Sequence, residues 1–520
     1  MTTKRKIGTM AALGGLAAAV TLLAGSPATR ADELADLKAN QALLQKKLDQ
    51  MQLALGAAPV APGSPSMTGS FPRSILIPGT DTSIAIGGYV NMTASYWFTG
   101  GPVNGNPVAP VIGENGQALS TPLELHGQKV GGVTFSAPTF NPRSRGNGVI
   151  QMTARQSRLR VETRTPTAWG EAGTVFEFDW LGCNNLSCNA LDHVSNSLLP
   201  RLRLAYGTLG PWLAGQAFGT TDDLAANPET IDFGGPVGEW GVVRMAQLRY
   251  TGQLPWGLSF AVAAEQPATD IFTPAGAIQT DSSTETGVGG VGIPSTLAVN
   301  PTKSSMPDWA GYFQINRPWG HFRVQGVLRD LKIEDGRFLN KEFLGYGGGF
   351  AGNVKPWLIW PKDNLQFQFG AGSALGRYGN SGSNNALVTN FGCDGPTEGC
   401  AVPMYGAVGG PTSAAAAALI RFQKVPEWFG AVGYQHWWAP DWRSNVAFGI
   451  QHQDVSSLLL GPTQTATSVN KQVYTAHANV IWSPVSFVNI GLEYMHAQRK
   501  TVANIPGTED EVEGEFMVKF

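Results

Sequence analysis

The chain has 520 residues, of which 65 are glycine, with 42% hydrophobic and only 14% charged residues. With 24 phenylalanines and 15 tryptophans it is too aromatic for a disordered chain, and it is too rich in glycine for a helical one. A formal net charge of −2 carries none of the basic excess that nucleic-acid binding needs, and no nucleic-acid partner is expected.

Residues 1–31 read as a cleavable export signal. Lys4-Arg5-Lys6 is the basic region, Met10 to Ala24 the apolar stretch, and Thr29-Arg30-Ala31 the cleavage region. A membrane anchor is the alternative, but the apolar stretch falls short of the ~20 residues that a spanning helix needs. No later run of the chain is long and apolar enough to span, so an exported protein residing in a membrane would do so as a barrel.

Residues 32–55 place Leu34, Leu37, Gln41, Leu44, Leu48, Met51 and Leu55 at alternating three- and four-residue spacing. This predicts a short self-associating coiled coil, a rod of about 36 Å at ~1.5 Å per residue. A single amphipathic helix packed on a domain is the alternative. The linker over 56–74, rich in Gly, Ala, Pro and Ser, separates this helix from the body and favours the coiled coil.

From residue 75 to 520 the chain alternates strands with turns, which predicts an all-β fold: a sixteen-stranded antiparallel transmembrane β-barrel behind the N-terminal coiled-coil helix. Ser83 to Phe98 sets the pattern, with Ile84, Ile86, Val90, Met92, Ala94, Tyr96 and Phe98 on one face and Ser83, Asn91, Thr93 and Ser95 on the other. Segments of this kind begin near 83, 149, 173, 199, 212, 243, 256, 308, 321, 343, 364, 428, 442, 472, 486 and 511. Joints after even strands are short, such as Thr208-Leu209-Gly210-Pro211 and Arg317-Pro318-Trp319-Gly320. Joints after odd strands are mostly long, notably 99–147, 220–242, 266–307 and 379–424. Short turns at one end and long loops at the other are the plan of an outer-membrane barrel. A propeller would repeat every ~40 to 50 residues, and no such repeat is found. Trp256, Trp309, Trp319, Trp428, Trp437, Trp438 and Trp482 near strand ends are expected to form the interfacial girdles. The last strand sets Val512, Phe516, Val518 and Phe520 against Glu513, Glu515 and Lys519, as a closing strand between lipid and a wet lumen would; Phe520 is expected to be needed for insertion. For that segment alone, an edge strand of a soluble β-protein is the alternative.

Strand parity then assigns the lumen. With Leu159, Val161 and Thr163 facing lipid, Arg158, Arg160, Glu162 and Arg164 point inward; with Leu202, Leu204 and Tyr206 outward, so do Arg201 and Arg203. Phe322, Val324 and Leu328 likewise turn Arg323 and Arg329 inward, and Arg249 and Arg443 follow, with Glu177, Asp179 and Glu265 also inside. An arginine facing lipid at mid-membrane would cost ~2–4 kcal/mol, which enforces this assignment in a barrel. Read functionally, Arg158, Arg160, Arg164, Arg201, Arg203, Arg249, Arg323 and Arg329 line a path for anions; read structurally, the charges pair across the wall and stiffen it. The loop 220–242, with Asp222, Asp223, Glu229 and Asp232, is expected to fold into the pore and set its carboxylates against the arginines, repelling anions toward them. Asp222/Asp223 as a calcium site or catalytic pair lacks a second ligand cluster.

Four cysteines form two local pairs, Cys183 with Cys188 and Cys393 with Cys400, suited to loop disulfides, with a zinc site as the weaker alternative. His436, His452, His477 and His496 lie on late strands, and Gly-x-Ser-x-Gly is absent, so no enzyme, metal site or cofactor is expected.

Five stretches resemble DcaP-like porins: Ile77-Pro-Gly-Thr-Asp-Thr-Ser-Ile-Ala-Ile-Gly-Gly-Tyr-Val90, Ala154-Arg-Gln-Ser-Arg158, Ala205-Tyr-Gly-Thr-Leu-Gly210, Pro228-Glu-Thr-Ile-Asp-Phe233 and Gly376-Arg-Tyr378. They spread over nearly the whole exported chain. The resemblance implies a homotrimeric sixteen-stranded diffusion channel in the lipid of the bacterial outer membrane, with an N-terminal helical extension and a preference for small anionic solutes, often dicarboxylates. The long loop 379–424 and the cysteine pairs depart from that pattern. A structural anchor, tethering the outer membrane to the cell wall through the coiled coil, is the alternative role.

Overall fold

The computed structural model describes residues 68–99, 148–182, 199–241, 243–268, 271–273, 276–278, 302–334, 340–355, 362–379, 386–389, 420–455, 470–502 and 506–520, with residues 418 and 504 besides. The expected signal, the coiled coil and most of the linker lie outside the described residues. So do all four cysteines: the disulfide expected between Cys183 and Cys188 and the one expected between Cys393 and Cys400 both fall outside them.

Sixteen antiparallel strands close on themselves. Strand β1 is Ser83–Thr99, and β2 is one strand in two pieces, Val149–Thr153 and Arg158–Thr167, both paired with β1. Then come β3 (Gly170–Gly182), β4 (Leu199–Leu209), β5 (Trp212–Phe218), β6 (Arg244–Leu254), β7 (Leu258–Glu265) and β8 (Asp308–Arg317). The second half holds β9 (Gly320–Glu334), β10 (Asn340–Val354), β11 (Asn364–Ser373) and β12 (Pro426–Trp437). It ends with β13 (Trp442–Gln453), β14 (Asn470–Trp482), β15 (Val488–Thr501) and β16 (Pro506–Lys519). Each pairs with the next, and β16 returns to β1, so none of the sixteen is an edge strand.

The strands form because their side chains alternate between two solvents. Ile86, Val90, Phe313, Val324, Leu328, Val446, Leu492 and Phe516 all stand exposed on the outer face, where a hydrocarbon layer, unlike water, suits them. On the same strands, Asn91, Thr93, Gln325, Asn445 and Glu493 turn inward and are buried. Trp256 and Trp438 stand exposed at the short-turn end, and Trp442 stacks on Trp482 with ring centroids 5.7 Å apart, as an interfacial girdle requires. Trp437 departs from its expected place there: its ring lies inside, 5.3 Å from the Arg443 guanidinium.

Strand β4 also departs from simple alternation. Its pairing with β3 slips between Glu177 and Phe178, so Leu204 lies opposite Glu177 and Tyr206 opposite Val175. Leu204 and Tyr206 therefore face inward instead of toward lipid, while Arg201 and Arg203 stay inside as well. One extra residue in a strand reverses the parity of everything beyond it. At the long-loop end, Ile271–Thr273, Gly276–Ile278, Leu387–Thr389 and Phe422–Lys424 build a small four-stranded sheet. Leu387 within it packs in an apolar cluster with Leu331 and Ile333 of β9.

Candidate functional site

Three neighbouring strands raise a wall of charge inside the barrel. Arg164, nearest the short turns, meets Glu162 at 2.7 Å and Glu171 at 3.6 Å. Arg160 stands 3.0 Å from Glu162 and 3.4 Å from Glu177, and Arg158 is 3.4 Å from Glu177. Farther up, Arg203 meets Glu177 at 2.8 Å and Asp179 at 2.9 Å, while Arg201 donates to Asp179 at 2.9 Å. The cross-strand register of β2 with β3 puts Arg158 opposite Asp179 and Arg160 opposite Glu177, which is why these charges find one another.

Five guanidiniums thus share four carboxylates. Exposure is graded along the ladder: the side chains of Arg164 and Arg160 are 39% and 37% exposed, that of Arg158 is 21%, and those of Arg201 and Arg203 are 9% and 4%. The upper pairs are a sealed structural network. The lower guanidiniums present donors to water, and Glu177 between them is buried. A guanidinium keeps its charge at any working pH and grips a carboxylate bidentately, so this lower stretch is chemically fit to pass anions.

Loop 219–243 connects β5 to β6 and turns into the barrel. It lies against the inner wall of β9 to β15. Asp223 is 2.6 Å from His321 and 3.6 Å from Arg323. Glu229 is gripped by Arg443 at 2.6 and 2.7 Å and accepts from Gln435. The Ile231 and Asp232 amides donate to the Glu493 carboxylate, and the Val237 amide donates to Thr475. Trp240, fully buried, donates its ring N–H to the Phe369 carbonyl and sits edge-on to Phe429 at 5.2 Å. Wall glycines make room for this. A Cβ on Gly433 would lie 2.6 Å from the Pro228 side chain, one on Gly491 would lie 2.6 Å from Ile231, and one on Gly449 would lie 1.7 Å from the Val237 carbonyl oxygen. Gly449→Val is therefore expected to unseat the loop and to lower amide-exchange protection at Val237 by about tenfold or more. Unchanged protection would contradict the packing.

Burial raises three of the loop acids above the usual carboxylate range. Asp222 goes well above it, helped by Asp223 beside it; Glu239 does too, and Asp232 rises to about 7.

The expected arginines fall into four groups. Arg158, Arg160, Arg164, Arg201 and Arg203 gather in one wall. Arg249 faces inward from β6, opposite Leu213 and Ala263, apart from that wall. Arg323 and Arg443 hold the loop. Arg329 lines no wet path: it is completely buried, bound to Asp308 at 3.1 Å and to the Leu375 carbonyl. Nor do the loop acids oppose the arginine wall as expected. Asp223 and Glu229 turn to the wall their loop packs on, and Glu177 and Asp179 pair directly with the arginines. The loop reaches the arginine wall through an aromatic ring, with Phe233 5.7 Å from the Arg203 guanidinium. Sequence reasoning missed a second charged feature. Glu509, Glu511 and Glu513 form a buried inward ladder on β16, beside buried Glu493 and His477. The alternation of glutamates over 509–515 was the available signal. Among the described residues no group of three or more His, Cys, Asp or Glu side chains is placed to hold a metal ion.

The outer membrane channel DcaP of Acinetobacter baumannii superposes with a TM-score of 0.60 over 86% of this chain and all of its own, at 17% sequence identity. The chain shares the DcaP fold. An anion-selective porin from Comamonas acidovorans covers 84% of the chain and Pseudomonas putida OprB also 84%, matched over 100% and 94% of their own lengths, each at 8% identity and a TM-score of 0.46. Those two likenesses are too distant to bear on function. No family model and no curated protein matches the sequence.

Proposed function

We propose that this protein is a diffusion channel of the bacterial outer membrane, related to DcaP, that passes small hydrophilic solutes and favours anions, small dicarboxylates among them. The observation that carries this reading is the half-exposed run of Arg164, Arg160 and Arg158 inside a closed barrel whose outer surface is apolar. Inward guanidiniums outnumber the carboxylates that hold them there, and they are spaced along the direction of passage. Each step stays weak because every guanidinium is already engaged by a carboxylate, so a solute is handed on instead of trapped. An anchor has no use for a charged ladder of this kind, nor does the wall offer an enzyme a nucleophile and base.

The assembly in this reading is a homotrimer in outer-membrane lipid. The segment 32–55 forms a coiled coil on the periplasmic side, and 1–31 is removed on export. Lateral contact between barrels supplies the local concentration that so short a seam requires. The test is insertion of the purified full-length chain into a planar bilayer. Discrete conductance steps that scale with salt are expected. A membrane left electrically silent by protein that folds and inserts would overturn the channel reading and leave the anchor.

A further inference from the structure

The tip of loop 219–243 rests in a seat that gathers several acids. The Asp232 side chain is buried, and its Oδ2 has no hydrogen-bond partner among the described residues. Around it stand Glu493 on β15, Glu511 and Glu513 on β16 and His477 on β14, whose Nδ1 is 2.9 Å from Glu493. The Nε2 of His477 also lacks a partner among the described residues. Arg203 of β4 lies 5.7 Å from the neighbouring Phe233 ring and is already held by Glu177 and Asp179. Four carboxylates, with one imidazole near them, cannot all stay ionised in a buried seat.

We propose that this seat is a proton-binding site that controls the loop: protonation of Asp232 docks the tip against β14 to β16, and loss of that proton releases it. The docked tip is otherwise well made, by the Ile231 and Asp232 amides on Glu493, the Val237 amide on Thr475 and the fit of Ile231 over Gly491. Only the carboxylate works against docking. The sign follows from burial. In the seat Asp232 keeps its proton up to about pH 7, whereas its ordinary value is 3.8. A docked state that holds a proton more tightly than the released state is favoured at low pH. Docking is strongest below about pH 4, weakens about tenfold per unit as pH rises toward 7, and is level above that.

Amide hydrogen exchange on the full-length chain in detergent, corrected for the intrinsic pH dependence of exchange, reads the tip directly. Protection at Ile231 and Asp232 is expected to fall about a hundredfold between pH 5 and pH 7 and then to stay constant to pH 8. Asp232→Asn keeps the tip docked throughout and removes the fall. Glu511→Gln, which leaves Asp232 in place and removes a like charge beside it, ends the fall at lower pH. Protection that does not change with pH in the wild type, or that falls in Asp232→Asn as it does in the wild type, would overturn the proposal. The measurement does not depend on conduction, so a silent barrel with this transition would refute the channel and keep the seat.

Discussion

Asp179→Ala is expected to destabilise the barrel by about 3–5 kcal/mol, the largest effect on stability of any single change to the charged wall. Asp179 is completely buried and bridges Arg201 and Arg203, which are themselves nearly inaccessible. Its removal leaves two guanidiniums buried with their shared carboxylate gone, and water cannot readily replace it. Asp179→Asn should cost less, because the amide oxygen still accepts from one arginine. Denaturant unfolding in detergent measures both. Equal midpoints for wild type and Asp179→Ala would show that the upper network is solvated and that the wall is not sealed there.

The largest functional effect belongs to the lower rungs. Arg158→Ala with Arg160→Ala leaves three guanidiniums against the same four carboxylates and strips Glu177 of two of its three arginine partners. The sign of the wall then reverses. The ratio of anion to cation permeability should fall by about two- to threefold at low salt, where screening is least, and by less at high salt. Arg249→Ala, away from the wall, serves as the control. A double variant as selective as the wild type would move the anion path to some other part of the lumen.

Most of the barrel is legible in the sequence because each strand separates two solvents, so alternation is written into nearly every segment. Ser83–Thr99 shows it well: the residues that read as lipid-facing are those that stand outside, and Asn91, Thr93 and Ser95 are inside. The joints tell the ends apart, since Pro, Gly and Trp mark the tight turns. Legibility fails where a contact is not local. The slip in β4 inserts one residue at Arg203 and Leu204, and no glycine or proline announces it, so parity alone puts Leu204 and Tyr206 on the wrong face. Arg329 obeys parity but lies at the long-loop end, where the loop backbone at Leu375 closes over it; parity gives direction and not depth. The side on which the loop acids lie is also hidden, because a single sequence does not say which wall a loop packs against. That choice is made by Gly433, Gly449 and Gly491, whose missing side chains are spread over three strands and have no meaning until Pro228, Val237 and Ile231 lie on them.

In the proposed channel, a positively biased wall governs passage through an open barrel. Reversal potential across a planar bilayer, with wild-type protein and a tenfold gradient of dilute potassium chloride, tests it most directly. A potential of the sign that marks chloride as the more permeant ion is expected, shrinking as both solutions are made more concentrated. A potential of the opposite sign, marking potassium as the more permeant ion, would contradict it.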